Sequence, residues 1–554
     1  MSNFEHVSST ADSTTRPAGG AAPAAVDAGA RRRWWALAVL CLSLILITLD
    51  NTVLNVALPT LVRDLHASTS QLQWIVDGYQ LVFAGLLFSA GSLADRYGRK
   101  GMLTLGLVVF GVGTSLSALA TSADMLIATR AFMGVGGAMI MPATLSILGT
   151  VFPDARERAR AIAIWAAMAA VGIAIGPVLG GLLLAHFSWG SIFVINIPVV
   201  VAALIGGQIL LPTSRDPHPG RMDVPGSLLS IVTLMALVYA VIEGPDAGWT
   251  SDRVVIGATI GVLSLAAFLW VESRSSHPML DLALFRDRRF SMGALSLALL
   301  YFGALGTYFL YTQHLQFVLG YSALRAGLYS VPFALVLVAV SLQTPKAVQR
   351  YGTGRIAGLG LLVLAASVLL RATAGADSGY DLLLVSLVIA GLGVGLTVAP
   401  STTSIMSSLP PSHAGVGSAI NDAARQIGAA AGVAVLGSVW ASSYHHSLSS
   451  VAVQAQVPPA ALEGSRSSVG AALDVARTLP PATRTELVHV VRGAFVHGSD
   501  VANLVAGAVA LIGAALAFRY LPSRPPAANA DEAFSDAPPA PESADFVAEP
   551  VASA

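Results

Sequence analysis

Five charges stand inside long apolar runs of this 554-residue chain: Asp50, Asp77, Arg130, Asp422 and Arg425. At the centre of a membrane-crossing helix each would cost roughly 2.5–3.5 kcal/mol on insertion scales, so such groups are kept where they do work. Helical rise places Asp50 about 24 Å, Asp77 about 26 Å and Arg130 about 30 Å from the same end of their helices. Two acids and one base thus share one depth on three helices. One carboxylate remains in excess and is a candidate to exchange a proton from within a membrane, the chemistry of a proton-coupled pump. Asp422 and Arg425 sit three residues apart and can pair on one helix face. That pair, and the pairing of Arg130 with one acid, could equally serve packing alone.

The elements that hold these charges follow from composition. The chain is 55% hydrophobic and 11% charged, with a mean hydropathy of +0.70 and no net charge. Soluble domains carry about 25% charged residues. This is a polytopic membrane protein, with nothing to attract nucleic acid. The single cysteine, Cys41, excludes internal disulfides and thiolate metal clusters. The two lysines, Lys100 and Lys346, follow Arg99 and Pro345, so neither completes a phosphate-binding Gly-Lys-Ser/Thr loop, and ATP is not expected to drive the work.

About 20 apolar residues cross a bilayer as a helix. Fourteen runs qualify: 35–57, 73–93, 102–121, 125–150, 161–184, 190–211, 225–243, 254–271, 291–313, 325–345, 356–374, 381–406, 416–440 and 499–519. They divide into a six-helix half (34–211), a linker with two extra helices (212–289) and a second six-helix half (290–520). Residues 1–33 and 521–554 read as disordered cytoplasmic tails, and 441–498 as an extracytoplasmic loop. Basic residues number 21 in the tails and the loops on their side, against 4 in or beside the short opposite loops. Positive charge stays inside, which puts both termini in the cytoplasm. The halves echo each other, "GSLADRYGRK" after the second span and "KAVQRYGTGR" after the tenth, as a duplicated transporter would.

Several stretches carry a resemblance. "GSLADRYGRK" (Gly91 to Lys100) resembles the loop 2–3 signature of the major facilitator superfamily. "RAFMGVGGAMIMPATLSIL" (Arg130 to Leu148) is similar to its fourth-span signature. "GIAIGPVLGG" (Gly172 to Gly181) resembles the fifth-span motif of antiporters, and "LDNTVLNVALP" (Leu49 to Pro59) the first-span motif of fourteen-helix drug:proton antiporters. "WGSIFVINIP" departs from the pattern, lacking an arginine after Trp189. The resemblance covers roughly residues 34–520. It implies an all-α major facilitator fold of two six-helix bundles plus two central helices. It also implies a proton-coupled exporter of hydrophobic drugs or antibiotics, cationic ones included, with an exporter or importer of a native metabolite as the alternative and a membrane enzyme or sensor least favoured. No cofactor beyond the proton gradient, action as a monomer and a bacterial plasma membrane are expected.

The same motifs have physical readings. Gly98 permits a positive-φ turn, and Asp95, Arg96 and Arg99 can pair or cap helix ends, as a cytoplasmic latch or as a topology-setting loop beginning at Gly91. Gly172, Gly176, Gly180 and Gly181 allow close helix approach, and Pro177 bends the helix. On the first span Thr48, Asn51, Thr52 and Asn55 share one arc while Asp50 projects elsewhere; only one of these faces need line a cavity. The resemblance puts Asp50 in or beside it. Tyr308, Tyr311 and Gln313, with neighbouring His314, are candidate cavity-lining groups, as are Trp165 and Met168. His445 and His446 read as surface residues.

Overall fold

The computed structural model describes residues 23–214, 223–275, 278–376, 378–409, 414–454 and 468–521. The expected tails at 1–22 and 522–554 lie outside the described residues. Fourteen helices are long and apolar enough to cross a membrane. Spans 1–6 are Arg32–Leu65, Thr69–Tyr97, Arg99–Ala118, Ala123–Val151, Arg160–His186 and Ser191–Leu210. Spans 7 and 8 are Val224–Ala247 and Asp252–Arg274. Spans 9–14 are Arg288–Val318, Ala323–Tyr351, Thr353–Arg371, Tyr380–Ser407, Val416–Leu448 and Pro481–Tyr520.

Two expectations need correction. Residues 23–31 are helix rather than disordered tail: the helix of span 1 starts at Pro23 and runs on without a break. Proline suits a first helical turn, and the alanines that follow favour propagation. Residues 441–498 are not simply a loop. The helix of span 13 continues to Gln454, a short helix occupies Val469–Thr478, and span 14 begins at Pro481. Ser468 caps the short helix, its hydroxyl accepting from the Ala471 amide at 3.1 Å. A β-carbon built on Gly470 would meet Val62 and Phe317, so this helix sits over the ends of spans 1 and 9.

Each half is tied by close helix pairs, with span 1 on span 5 and span 2 on span 4 in the first half, and span 9 on span 13 and span 11 on spans 12 and 14 in the second. The halves meet along spans 2 and 13 and along spans 5 and 10. Span 7 covers the first seam, where Val238 and Ile242 pack with Leu81, Ala430 and Ala434. Span 8 packs on span 7 and exposes Ile256, Ile260, Leu263 and Trp270, as an acyl-chain environment favours.

The seams are joined at the end away from the termini. Gln73 Nε2 donates to the carbonyls of Val433 (3.1 Å) and Ala434 (3.0 Å), and Gln316 Nε2 donates to the Val56 carbonyl at 2.9 Å. A β-carbon on Gly181 would lie 2.6 Å from the Ala323 carbonyl oxygen.

Candidate functional site

Asp50 is fixed inside the first half. It forms an ion pair with Arg130, both side chains being essentially inaccessible to solvent. Asn196 Nδ2 of span 6 donates to the other Asp50 oxygen at 3.1 Å and to Thr114 Oγ1 of span 3 at 3.2 Å. Arg130 Nε donates to the Ile75 carbonyl of span 2 at 3.2 Å, and its guanidinium lies 4.5 Å from the centre of the Tyr79 ring. Five helices therefore converge on one neutral pair. An ion pair out of water persists when hydrogen bonds satisfy its remaining atoms, and most of these do so.

Asp77 is different. It is fully buried, and neither carboxylate oxygen has a hydrogen-bond partner among the described residues. The expected sharing of Arg130 between two acids does not occur. The guanidinium is committed to Asp50 and the Ile75 carbonyl, and the aspartates leave their helices in different directions. On span 2, Asp77 lies one turn from Gln73, which bonds span 13, and one turn from Leu81, which packs on Ala430 and Ala434 of span 13. The free carboxyl thus stands on the stripe facing the seam between halves.

Two members of the span 1 arc, Thr48 and Thr52, face span 5. Thr52 Oγ1 bonds its own helix and reaches the Gly172 carbonyl at 3.4 Å, and β-carbons on Gly172 and Gly176 would strike Thr48 and Thr52. Gly180 meets Val53 and Gly181 meets span 10, so the fifth-span motif packs one side on span 1 and the other on the opposite half. A β-carbon on Gly327 of span 10 would collide with the Pro177 carbonyl, which marks the closest approach of that seam. Asn51 and Asn55 donate to carbonyls one turn back, Ile47 and Asn51.

In loop 2–3, Gly98 has φ +107°. Arg99 pairs with Asp95 at 3.0 Å and donates to Thr150 Oγ1 at 3.1 Å. Lys100 Nζ donates to the Gln208 and Leu211 carbonyls. Arg96 is exposed, its guanidinium 5.8 Å from the Tyr97 ring. The described partners of Asp95, Arg99 and Lys100 lie in the first half, and Gly91 meets Pro142 of span 4. Asp422 and Arg425 stand 3.7 Å apart, the guanidinium lying 5.0 Å from the Tyr301 ring. Trp165 is half-buried, with its Nε1 unpartnered among the described residues; Met168 is half-buried too. His445, expected at the surface, lies within the span 13 helix, 3.8 Å from Asp246.

Tyr308 and Tyr311 stack at 6.0 Å, but Tyr311 points into the second half, where its ring faces Arg371 of span 11 at 5.2 Å. Gln313 is buried and donates to the Phe309 carbonyl. Asn196, Thr114, Gln73, Arg371 and Asp500 were not legible as site residues. Asn196 stood within "WGSIFVINIP", and Arg371 and Asp500 stood at span ends, where a charge reads as interfacial.

The Major Facilitator Superfamily model matches residues 40–433. The multidrug efflux pump LfrA of Mycolicibacterium smegmatis is 39% identical over 485 residues, covering 88% of this chain and 95% of the relative. The tetracenomycin C resistance and export protein of Streptomyces glaucescens is 34% identical over 493 residues, covering 88% and 91%. Among solved structures, a bacterial homolog of the human lysosomal transporter Spinster, inward-facing and unoccupied, superposes with a TM-score of 0.60 at 17% identity, covering 89% of this chain and 99% of that one.

Proposed function

Because the chain belongs to the major facilitator superfamily, with relatives named for drug efflux and antibiotic resistance, we propose that its drug export is driven by protons carried on Asp77. The chain is a multi-pass protein of a bacterial membrane, and its family and relatives are transporters. The observation that carries the reading is the buried, unpartnered carboxyl at the seam. An ionised carboxylate there would lack both water and counter-ion, a state proteins avoid by keeping the group neutral. Asp77 therefore holds its proton in this conformation.

Both termini are cytoplasmic, so the end where Gln73 and Gln316 join the halves is the outer end, and the conformation is shut toward the outside. A hydrophobic, cationic drug entering from the inner side favours an ionised Asp77 and displaces its proton inward. Rocking of the halves carries the drug out. Protonation from outside then releases the drug and resets the carrier. One proton crossing about 150 mV yields roughly 3.5 kcal/mol, enough for roughly a 300-fold gradient of a neutral substrate without ATP, whereas one-for-one exchange with a monovalent cation is electroneutral and draws on the pH difference alone. Asp50 and Arg130 position this site: the Arg130 bond to the Ile75 carbonyl fixes span 2 two residues before Asp77. The loop from Gly91 to Arg99 is the latch, free of the second half in this state. The fifth-span glycines let the halves rock on spans 5 and 10. The protein works as a monomer.

Drug-driven proton movement in proteoliposomes tests this. Asp77→Asn is expected to lose the proton that Asp77 carries with each drug while leaving the unfolding temperature close to the parent's, because Asp77 has no bond to lose among the described residues. Parent-like coupled transport in Asp77→Asn would overturn the assignment.

A further inference from the structure

The second half holds a small, partly open cavity with polar groups in its lining, which the transport cycle above does not use. Tyr311 and His314 of span 9, Arg371 of span 11, and Ser499, Asp500 and Asn503 of span 14 line it, with Leu383 on the span 12 side. It has room for roughly one water molecule. Arg371 is only 8% exposed and makes no ion pair among the described residues; Nε donates to Ser386 Oγ at 3.3 Å and a terminal nitrogen donates to the Thr307 carbonyl at 3.4 Å. His314 is 6% exposed and Tyr311 1% exposed, yet His314 Nε2 and the Tyr311 hydroxyl have no partner there. His314 also opens the π-helical turn His314–Val318, an irregularity that recurs at functional sites.

Three complementary groups therefore share one water-sized space: a fixed cation, an acid that does not touch it, and an imidazole nitrogen with nothing bonded to it. With Asp500 ionised the cavity is neutral. A proton on Asp500 or on His314 leaves it with a net positive charge, which is tolerable only when water reaches the cavity. Proton occupancy is in this way tied to the opening of spans 9, 11 and 14. Helical rise puts Asp500 about 30 Å from the end of span 14, and Arg371 about 27 Å from the start of span 11. Both stand near the outer membrane face, where protons enter.

We propose that this cavity is a second proton-binding site, in which Asp500 and His314 Nε2 exchange a proton through one bridging water and Arg371 sets the charge balance. Only O–H and N–H bonds form and break. From span 9 the groups facing Asp500 are His314 and Tyr311, and from span 11 Arg371; span 12 contributes apolar Leu383 to the lining. The proposal rests on proton-coupled export, and its test separates the two. Protons per exported monovalent cationic drug are measured in proteoliposomes for the parent, Asp77→Asn, Asp500→Asn, Asp500→Glu and His314→Gln. Asp500→Asn and His314→Gln are expected to move one proton fewer per drug, lowering the gradient held at 150 mV by about 300-fold, with Asp500→Glu restoring it. Both should unfold at the parent's temperature, since neither the Asp500 carboxylate nor His314 Nε2 has a bond to lose. A parent that moves no protons with drug defeats the export reading itself. A coupled parent whose Asp500→Asn and His314→Gln variants keep its ratio, or an Asp500→Asn chain that unfolds early, overturns the second site.

Discussion

Each half buries an arginine where its first, third, fourth and sixth helices converge, and the two are neutralised differently. In the first half the acid stands on span 1 and the base on span 4, and Asp50 and Arg130 touch. In the second the base stands on span 11 and the acid on span 14, and Arg371 and Asp500 line a cavity without pairing. The first arrangement is closed: its acid already accepts from Arg130 and Asn196. The second leaves an imidazole nitrogen and a phenol unbonded. Duplicated folds can thus keep one geometry and separate its roles. One copy locks helices together, and the other retains room for a small occupant.

The largest effect should come from breaking the closed arrangement. Asp50→Asn leaves the buried Arg130 guanidinium without its counter-charge, and removing one partner of a buried pair costs about 3–5 kcal/mol. Arg371→Gln, in contrast, removes hydrogen bonds to neutral groups, expected to cost about 1–3 kcal/mol. Unfolding in detergent measures both. Equal losses would erase the distinction between the halves.

Much of this contrast was legible in the sequence, and the part that was not has a physical cause. Fourteen spans follow from hydropathy because the bilayer demands long apolar helices, and the charged residues of the first half are conspicuous against them. Their depths were readable too, since rise per residue is fixed. Direction was not. Asp50, Asp77 and Arg130 share a height, yet only helix packing decides that Arg130 reaches Asp50 and that Asp77 faces span 13. Arg371 and Asp500 are inconspicuous because they stand at the ends of their apolar runs, although Asp500 lies midway along the Pro481–Tyr520 helix. The helical extensions past residue 440 lacked a hydropathy signal for the same reason that they need none: they rise beyond the apolar stretch.

A second test compares the glycine seams inside each half. Gly172 and Gly176 of span 5 meet the Thr48 and Thr52 side chains of span 1, whereas Gly428 and Gly432 of span 13 meet the backbone of span 9 at Ala298 and Phe302. A threonine hydroxyl can rotate away, leaving the Thr52 Cβ 2.8 Å from a β-carbon on Gly176, whereas a helix carbonyl is fixed. A β-carbon on Gly432 would lie 2.8 Å from the Phe302 Cα. Gly432→Ala is therefore expected to cost about 1–3 kcal/mol through overpacking, and Gly176→Ala less. Unfolding midpoints in the same detergent order the two, and a larger loss in Gly176→Ala would show that span 1 is the more rigid partner.

The smallest effect lies between the halves rather than within either. Gln73 holds span 2 to span 13 through two carbonyls close to the seam glycine Gly437, whose β-carbon would meet the Gln73 side chain. In the proposed cycle these bonds hold only while the end away from the termini is shut. Gln73→Leu removes them and keeps the volume, so the state with that end closed should lose about 1 kcal/mol. That shifts the balance between conformations roughly fivefold toward the one open at that end. Spin labels at that end of spans 2 and 13 would report this as a larger population at long distance, while the stability of each half stays unchanged because neither loses a contact of its own. If the distance distribution does not move, the closed seam is held by the span 5–span 10 contact at Gly181 and Gly327 instead, and the glycines rather than the glutamine set the resting conformation.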